Sequence, residues 1–585
     1  MSRIDHRRAP GVARGRRALA VGAALALSLS ACTQVPTSSP VATSEPLSGQ
    51  QFEEEIPLYL PPEPRDDATP TEIIRGFINA GVGPQDDYRV ARAYLTEAAQ
   101  STWAPGQRTV IYSATPTITA TEDDGVFMIQ VEVDSVVDAF GVRTVTAPGT
   151  TQAWTVEVVD DAGQPRIDST APGTLLSTDQ FTALYAPHEL YFFDPTMTFA
   201  VPDPRWFINR GSAAGAMMSA LLNGPAEPLA GAVVSAFPTG SAAALSRPSV
   251  PVSEGVASVD LAASAVEGAD EARRTSLRHQ IELTLMGLPS VDSVDITVDL
   301  DPLTVRNDGA DTTRPVQNPT SGSVQVAVDT ATQNLVFFQG LTVSTVGGLP
   351  DVGQLNPVAP TMNRARTEFA FLTQDGRSLY TASTDGGLQR VVDGVNLSEP
   401  SIDGLDWLWT VDRGQGSQIR AVPLAGTGVE ASRQISVPWL GQTQEISALQ
   451  VAPDGARAAL LVRDGDETTL SVAGVVRGED GVPTALTEPV TYHSEANVAD
   501  VVWVDEITLL AAGQADAPSD VIEPQLISLD GNRRSLTPLS GIINITAGGS
   551  NTYYAETAES IYLLVGASWR SQELPRGVRD ISYSG

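Results

Sequence analysis

The chain has 585 residues, a formal net charge of −34, and 36 arginines with no lysine. So acidic a surface repels nucleic acid and anionic lipid headgroups, which excludes both as charge-driven partners. Without lysine there is no amine for a Walker phosphate loop, a pyridoxal Schiff base or a Ser-Lys acyl-transfer site.

Residues 1–31 hold six arginines against one acid, Asp5, so the remainder is more acidic still, near −39. This basic start runs into an apolar stretch from Ala18 to Leu29. A stretch of about twelve residues is too short for a bilayer core, which needs roughly twenty, and suits the h-region of a secretory signal peptide. It ends in Leu29-Ser30-Ala31-Cys32, the pattern of a lipobox. Cleavage is expected between Ala31 and Cys32, with diacylglycerol on the Cys32 thiol. Arg16-Arg17 resembles a twin-arginine element but lacks the usual flanking residues, so ordinary secretion is expected. The implied location is the extracytoplasmic face of a cell membrane, anchored by lipid. Two acyl chains hold a protein stably where one does not. Cys32 is the single cysteine, which excludes an intrachain disulfide and a thiolate metal cluster. Residues 32–55, with Pro36, Pro40 and Pro46 among Thr, Ser and Gln, read as a disordered tether.

A first α+β domain is expected over 56–185. Thr69-Pro70-Thr71-Glu72 has the residues of a capped helix start, and Ile73, Ile74, Phe77 and Ile78 share one face behind it. A second helix is expected from Asp86, with Val90, Ala91, Tyr94, Leu95 and Ala98 on its apolar face. Alternation then predicts strands through Phe127–Val133 and Trp154–Val158, the latter before a turn at Asp161-Ala162-Gly163. Helices followed by a curved antiparallel sheet resemble the NTF2 cone by analogy alone. Such a cone either holds a ligand or packs solid.

A second α+β domain is expected over 186–305. It has a strand at Leu190–Phe193, a helix through Met217–Leu222 stopped by Asn223-Gly224-Pro225, and a strand at Ala257–Leu261. A helix with Leu277, Ile281 and Leu285 on one face and a strand at Val294–Val298 complete it. Ala220-Leu221-Leu222-Asn223-Gly224-Pro225 resembles the core of the GerMN domain. Phe237-Pro238-Thr239-Gly240, Gly255–Leu261 and Gln280–Val294 follow in that domain's order. Asp299-Leu300-Asp301 stands where a glycine-containing turn is usual.

Beyond 320 the helical periods end. Short strands recur behind Gln374-Asp375-Gly376, Ile402-Asp403-Gly404, Pro453-Asp454-Gly455, Val504-Asp505 and Gly548-Gly549. Five units repeat at roughly blade length, which predicts an all-β propeller over 320–585, a β-sandwich being the alternative. Ser323–Gly340 reads as a sixth unit or a closing strand. Trp407 and Trp409 share one face of a strand, read as core. The acidic turns read as solvated, since none has the EF-hand spacing.

Lipobox, tether, two α+β domains (NTF2-like and GerMN-like) and a terminal propeller, in that order, resemble the LpqB lipoproteins of actinobacteria. The resemblance implies a partner, the extracytoplasmic part of the sensor histidine kinase MtrB. It also implies a role tuning the MtrAB two-component system in cell-wall homeostasis and division. No catalytic residue stands out. His188, His279 and His493 lie far apart in sequence, with no HExxH pair and no G-x-S-x-G elbow. No metal site and no cofactor is expected, and a binding protein is expected rather than an enzyme. The alternative is a propeller that binds or hydrolyses cell-wall glycan through paired carboxylates.

Overall fold

A computed structural model describes residues 61–238, 245–247, 249–305, 314–414, 416–425, 428–494, 498–549 and 552–585. The signal segment, Ala31, Cys32 and the tether lie outside the described residues, as do Thr239 and Gly240. The architecture is multidomain, with an N-terminal α+β region and a C-terminal propeller of β-sheets.

The first helix is Pro70–Ala80. Thr69 and Glu72 form a reciprocal capping box, and Ile73, Ile74, Phe77 and Ile78 are buried. The helix packs on a seven-stranded sheet whose central order is 164–170, 151–161, 126–138, 108–112 and 174–177. Ile129, Val131 and Val133 point into the core while their neighbours face out. Ala162 and Gly163, both left-handed, make the tight turn between Thr151–Asp161 and Gln164–Thr170.

The second helix is not the continuous one expected. Asp86, Asp87 and Tyr88 have φ of 49°, 53° and 58°, which delays helix entry to Arg89. It stops at Arg92, because Leu95 leaves to bridge Ile167 of the sheet. Thr96 then caps a separate helix, Glu97–Thr102. Burial of Leu95 on the sheet outweighs its helical period. The sheet's concave side is filled. The space between Phe77, Trp103, Ile129, Trp154 and Leu175 amounts to only about 10 Å³, room for one water at most.

In the next region the hairpin Tyr185–Phe193 and Ala200–Ile208 and a four-stranded sheet enclose the helices Ala213–Asn223 and Glu271–Leu285. Gly224, at φ 102°, ends the first helix in a conformation that costs other residues energy. Val256–Leu261 pairs in parallel with Ser293–Val298. At the Asp299-Leu300-Asp301 turn the backbone stays left-handed without glycine, at φ 48° and 74°. Asp260 holds it: its Oδ1 accepts from Leu300 N at 2.9 Å and Thr297 Oγ1 at 2.7 Å.

The propeller has six blade sheets of four or five strands among the described residues, their inner strands in contact around a ring, and one two-stranded sheet that pairs Val521–Ile522 with Leu539–Ser540. The first blade comprises 325–329, 335–339 and 342–345, and its innermost strand is Val578–Ser582 from the far end of the chain. Ser323–Gly340 therefore belongs to a blade additional to the five units read from the repeats, the first in chain order, and the closing strand comes from elsewhere. Trp407 and Trp409 lie in the core between the third and fourth blades. The turns are less solvated than expected: Asp403 and Asp454 are buried, each accepting backbone N–H groups of its own turn.

Contacts lock the three regions together. Trp206 of the second region packs on Phe181 with ring centroids 4.8 Å apart, and its Nε1 donates to the propeller carbonyl of Asp530 at 2.8 Å. The Arg143 guanidinium of the first region stacks 5.1 Å from the Trp206 ring and donates to Asn532 of the propeller at 3.3 Å. Thr487 of the fourth blade donates to Pro228 O at 2.7 Å.

Candidate functional site: the propeller channel

The innermost strands of the blades, or the residues leading into them, surround a central channel of about 280 Å³. Pro360, Pro400, Val451, Trp503 and Ile545 make parts of its wall apolar. Among them sit Glu399, at the entry to the third blade's first strand, and Asp580, on the strand that closes the ring. Asp500, which opens the fifth blade's first strand, and Glu556 of the sixth blade adjoin them.

Two bulges aim this machinery. Ala359 and Asp580 are non-glycine residues at φ 47° and 53°, at register breaks in the second and first blades. Such positions cost about 1–3 kcal/mol each and persist only where the surroundings enforce them. Here they turn the Ala359 N–H toward the Asp580 carboxylate, which it bonds.

The four carboxyls share one electrostatic problem. Burial pushes Glu399 above the usual carboxylate range, and the charges of Asp500 and Asp580 push it further, against the pull of Arg413. Burial also raises Asp500, opposed by bonds from the backbone N–H groups of Ile545 and Val501. Asp580 is raised by burial against the pull of Arg579. Glu556 is pushed up to about 7 by burial and by Asp580. The side chain of Glu399 is nonetheless exposed, because it faces the channel rather than packed protein. Near neutral pH the channel therefore holds protonated and ionised carboxyls side by side, the state that general acid–base chemistry requires. The volume sets the limit: 280 Å³ falls just short of the roughly 300–1,000 Å³ of ordinary ligand pockets, and a glycan chain needs more. No group of three His, Cys, Asp or Glu among the described residues is arranged to hold a metal ion.

Ala31 and Cys32 fall outside the described residues. His188 and His279 are brought to one groove in the second region, while His493 lies apart on the propeller. The four channel acids gave no motif. Their signal is only an acid beside the first strand of a blade, as in Glu399-Pro400 and Asp500-Val501.

Comparison with known families bears on the whole chain. The lipoprotein LpqB N-terminal domain matches residues 63–182, a sporulation and spore germination domain matches 189–304, and the lipoprotein LpqB beta-propeller domain matches 333–580. The chain belongs to the LpqB lipoprotein family. It is 28% identical to lipoprotein LpqB of Bifidobacterium longum over 82% of each chain. It is 25% identical to that of Cutibacterium acnes over 97% of this chain and 98% of the other. These LpqB relatives are named as lipoproteins, not by a reaction. Among solved structures, a gluconolactonase from Xanthomonas campestris covers 42% of this chain and 86% of its own, at 11% identity and TM-score 0.30. That likeness is too weak to bear on chemistry. No helix among the described residues is long and apolar enough to cross a membrane.

Proposed function

We propose that the protein is a lipid-anchored accessory of the sensor kinase MtrB, held at the outer face of the cytoplasmic membrane through Cys32. There it binds the kinase's extracytoplasmic domain and tunes MtrAB signalling in cell-wall homeostasis and division. Membership of the LpqB family supports the setting. The observation that carries the reading is the locking of three regions around Trp206, which presents one preorganised surface to a partner. Anchoring confines that surface to the plane of the kinase and raises its effective concentration.

Two experiments test the proposal. Residues 33–585 titrated into the MtrB ectodomain in a calorimeter at physiological salt should bind saturably at micromolar or tighter affinity. The Trp206→Ala variant should bind more weakly if rigidity matters. Absence of binding between two folded proteins removes the kinase from the reading. Separately, Cys32→Ala should shift the protein out of the membrane fraction, or leave it with its leader uncleaved. Normal processing with unchanged membrane retention would refute lipidation there.

The raised carboxyls of the channel favour a second reading, a propeller that binds or hydrolyses cell-wall glycan with Glu399 and Asp500 as an acid–base pair. Release of reducing ends from purified cell-wall glycan, abolished by Glu399→Gln, is its test. The small channel makes it the lesser of the two.

A further inference from the structure

A second cavity lies away from the channel. The strand Tyr185–Phe193 and the helix Glu271–Leu285 leave a groove of about 500 Å³ between them, well within the range of small-molecule sites. One side is apolar. Leu283 and Met286 project into it from the helix and its end, with Pro187 opposite, and Met286 is 51% exposed.

The other side is short of donors. The Tyr191 hydroxyl lies 2.9 Å from Glu189 Oε2 and 3.2 Å from Glu506 Oε1 of the propeller. One phenolic hydrogen cannot serve both carboxylates. Gln317 donates to the phenol oxygen at 2.8 Å, so it does not relieve them. Glu506 gains one backbone bond, from Asn318 N at 3.0 Å, and neither carboxylate has a salt-bridge partner among the described residues. His188 Nε2 is buried at the same groove without a hydrogen-bond partner. Burial keeps that imidazole neutral at pH 7. Arg314, the one arginine on the rim among the described residues, is 3.9 Å from Glu282 and is neutralised by it.

The chemistry of the occupant follows. Glu189 and Glu282 on the lining, with Glu506 behind Tyr191, outnumber Arg314 among the described lining residues and repel an anion. A bare divalent ion is too small for 500 Å³, and no three-ligand group is arranged for it among the described residues. A neutral apolar molecule would cover Glu189 and His188 Nε2 without supplying either a donor, which is costly. An ammonium carries three donors, and the groove offers it under-served acceptors in Glu189 and His188 Nε2, with Glu506 behind the Tyr191 hydroxyl. We propose that this groove binds an organic cation, a primary ammonium on an aliphatic stem, with the stem along Leu283 and Met286. The groove is lined by residues of 187–317, and among the described residues the propeller meets it only through Glu506 on the Tyr191 hydroxyl. It does not rest on the kinase reading.

The test uses the full chain in phosphatidylcholine nanodiscs, with pentylamine, pentan-1-ol and pentanoate as probes in saturation-transfer NMR at pH 7 and empty nanodiscs as reference. Pentylamine should bind saturably, and the alcohol and the acid about tenfold or more weakly, since charge-assisted bonds supply the difference. Glu189→Gln should weaken pentylamine about fivefold or more. Met286→Ser, at an exposed position that the fold does not need, should weaken it as well. N-acetyl-lysine amide binding more tightly than 1,5-diaminopentane marks a peptide side chain as the source, and the reverse order a free polyamine. Equal binding of pentanoate, or a pentylamine affinity unchanged in both variants, overturns the proposal.

Discussion

Asp403→Ala should destabilise the propeller by about 3–5 kcal/mol, the cost of leaving a buried arginine without its counter-ion. Asp403 sits at a turn of the third blade, and Arg477 reaches it from the fourth in an ion pair buried on both sides. The carboxylate also accepts from Trp409 Nε1 at 2.8 Å, Leu405 N at 2.9 Å and Trp407 N at 3.0 Å. Arg477 is committed in turn to Gly455 O and Gly481 O, with its guanidinium 5.5 Å from the Trp409 ring. Truncating the acid therefore strands a charge, an indole N–H and two backbone donors at once. The double variant Asp403→Ala/Arg477→Met should recover part of the loss, because the stranded charge goes with the arginine. Urea unfolding followed by tryptophan fluorescence measures both. A single-variant loss under about 1 kcal/mol, or a double variant no better than the single, would contradict this account of the hub.

The protein should be more stable near pH 5 than near pH 8. A carboxyl whose folded pKa is raised contributes stability that is complete below its unfolded value, near 4.5, and is lost as pH climbs through the folded value. Glu556 and Glu506, both pushed up to about 7 mainly by burial, place the loss between pH 5 and 8. Glu399, Asp500 and Asp580 are raised by the same cause and act in the same direction. A buried carboxyl moved as far as Glu556 costs about 3 kcal/mol once ionised. His188 and His279, both lowered by burial, oppose the trend below pH 6.5, but they are two partly exposed groups against five acids. Carboxyls held below their usual range, such as Asp375 and Asp385, are ionised in both states across the window and cancel. The net acidity of the chain adds repulsion at the alkaline end. We expect Tm at pH 5 to exceed that at pH 8 by about 5 °C, and Glu556→Gln to flatten the dependence. A Tm that rises steadily from pH 5 to pH 8 would refute the assignment.

Local rules reached far into this chain where a single element settled its own shape. The capping box of Thr69 and Glu72, the Gly224 stop and the alternation through Ile129, Val131 and Val133 all appear where residue type and spacing put them. They failed where a distant partner decided the outcome. Leu95 fits a helical face, yet Ile167, over seventy residues later, draws it onto the sheet. Asp403 looks like a solvated turn residue until Arg477 arrives from the next blade. The channel acids were unreadable for the same reason. Glu399, Asp500, Glu556 and Asp580 come from four blades, and only ring closure makes them neighbours.

That closure fixes the order in which the propeller can become a finished object. The strand Val578–Ser582 pairs with 325–329, across a chain separation of some 250 residues. Until it docks, 325–329 is an open edge whose backbone groups await a partner. A chain cut short of residue 578 would keep that edge permanently and lose Asp580 from the channel with it. The same edge matches the equivalent strand of another copy, so a domain-swapped dimer is the expected product where closure within one chain fails. The final strand thus acts as a checkpoint: synthesis must reach it before the propeller can hide its last reactive seam.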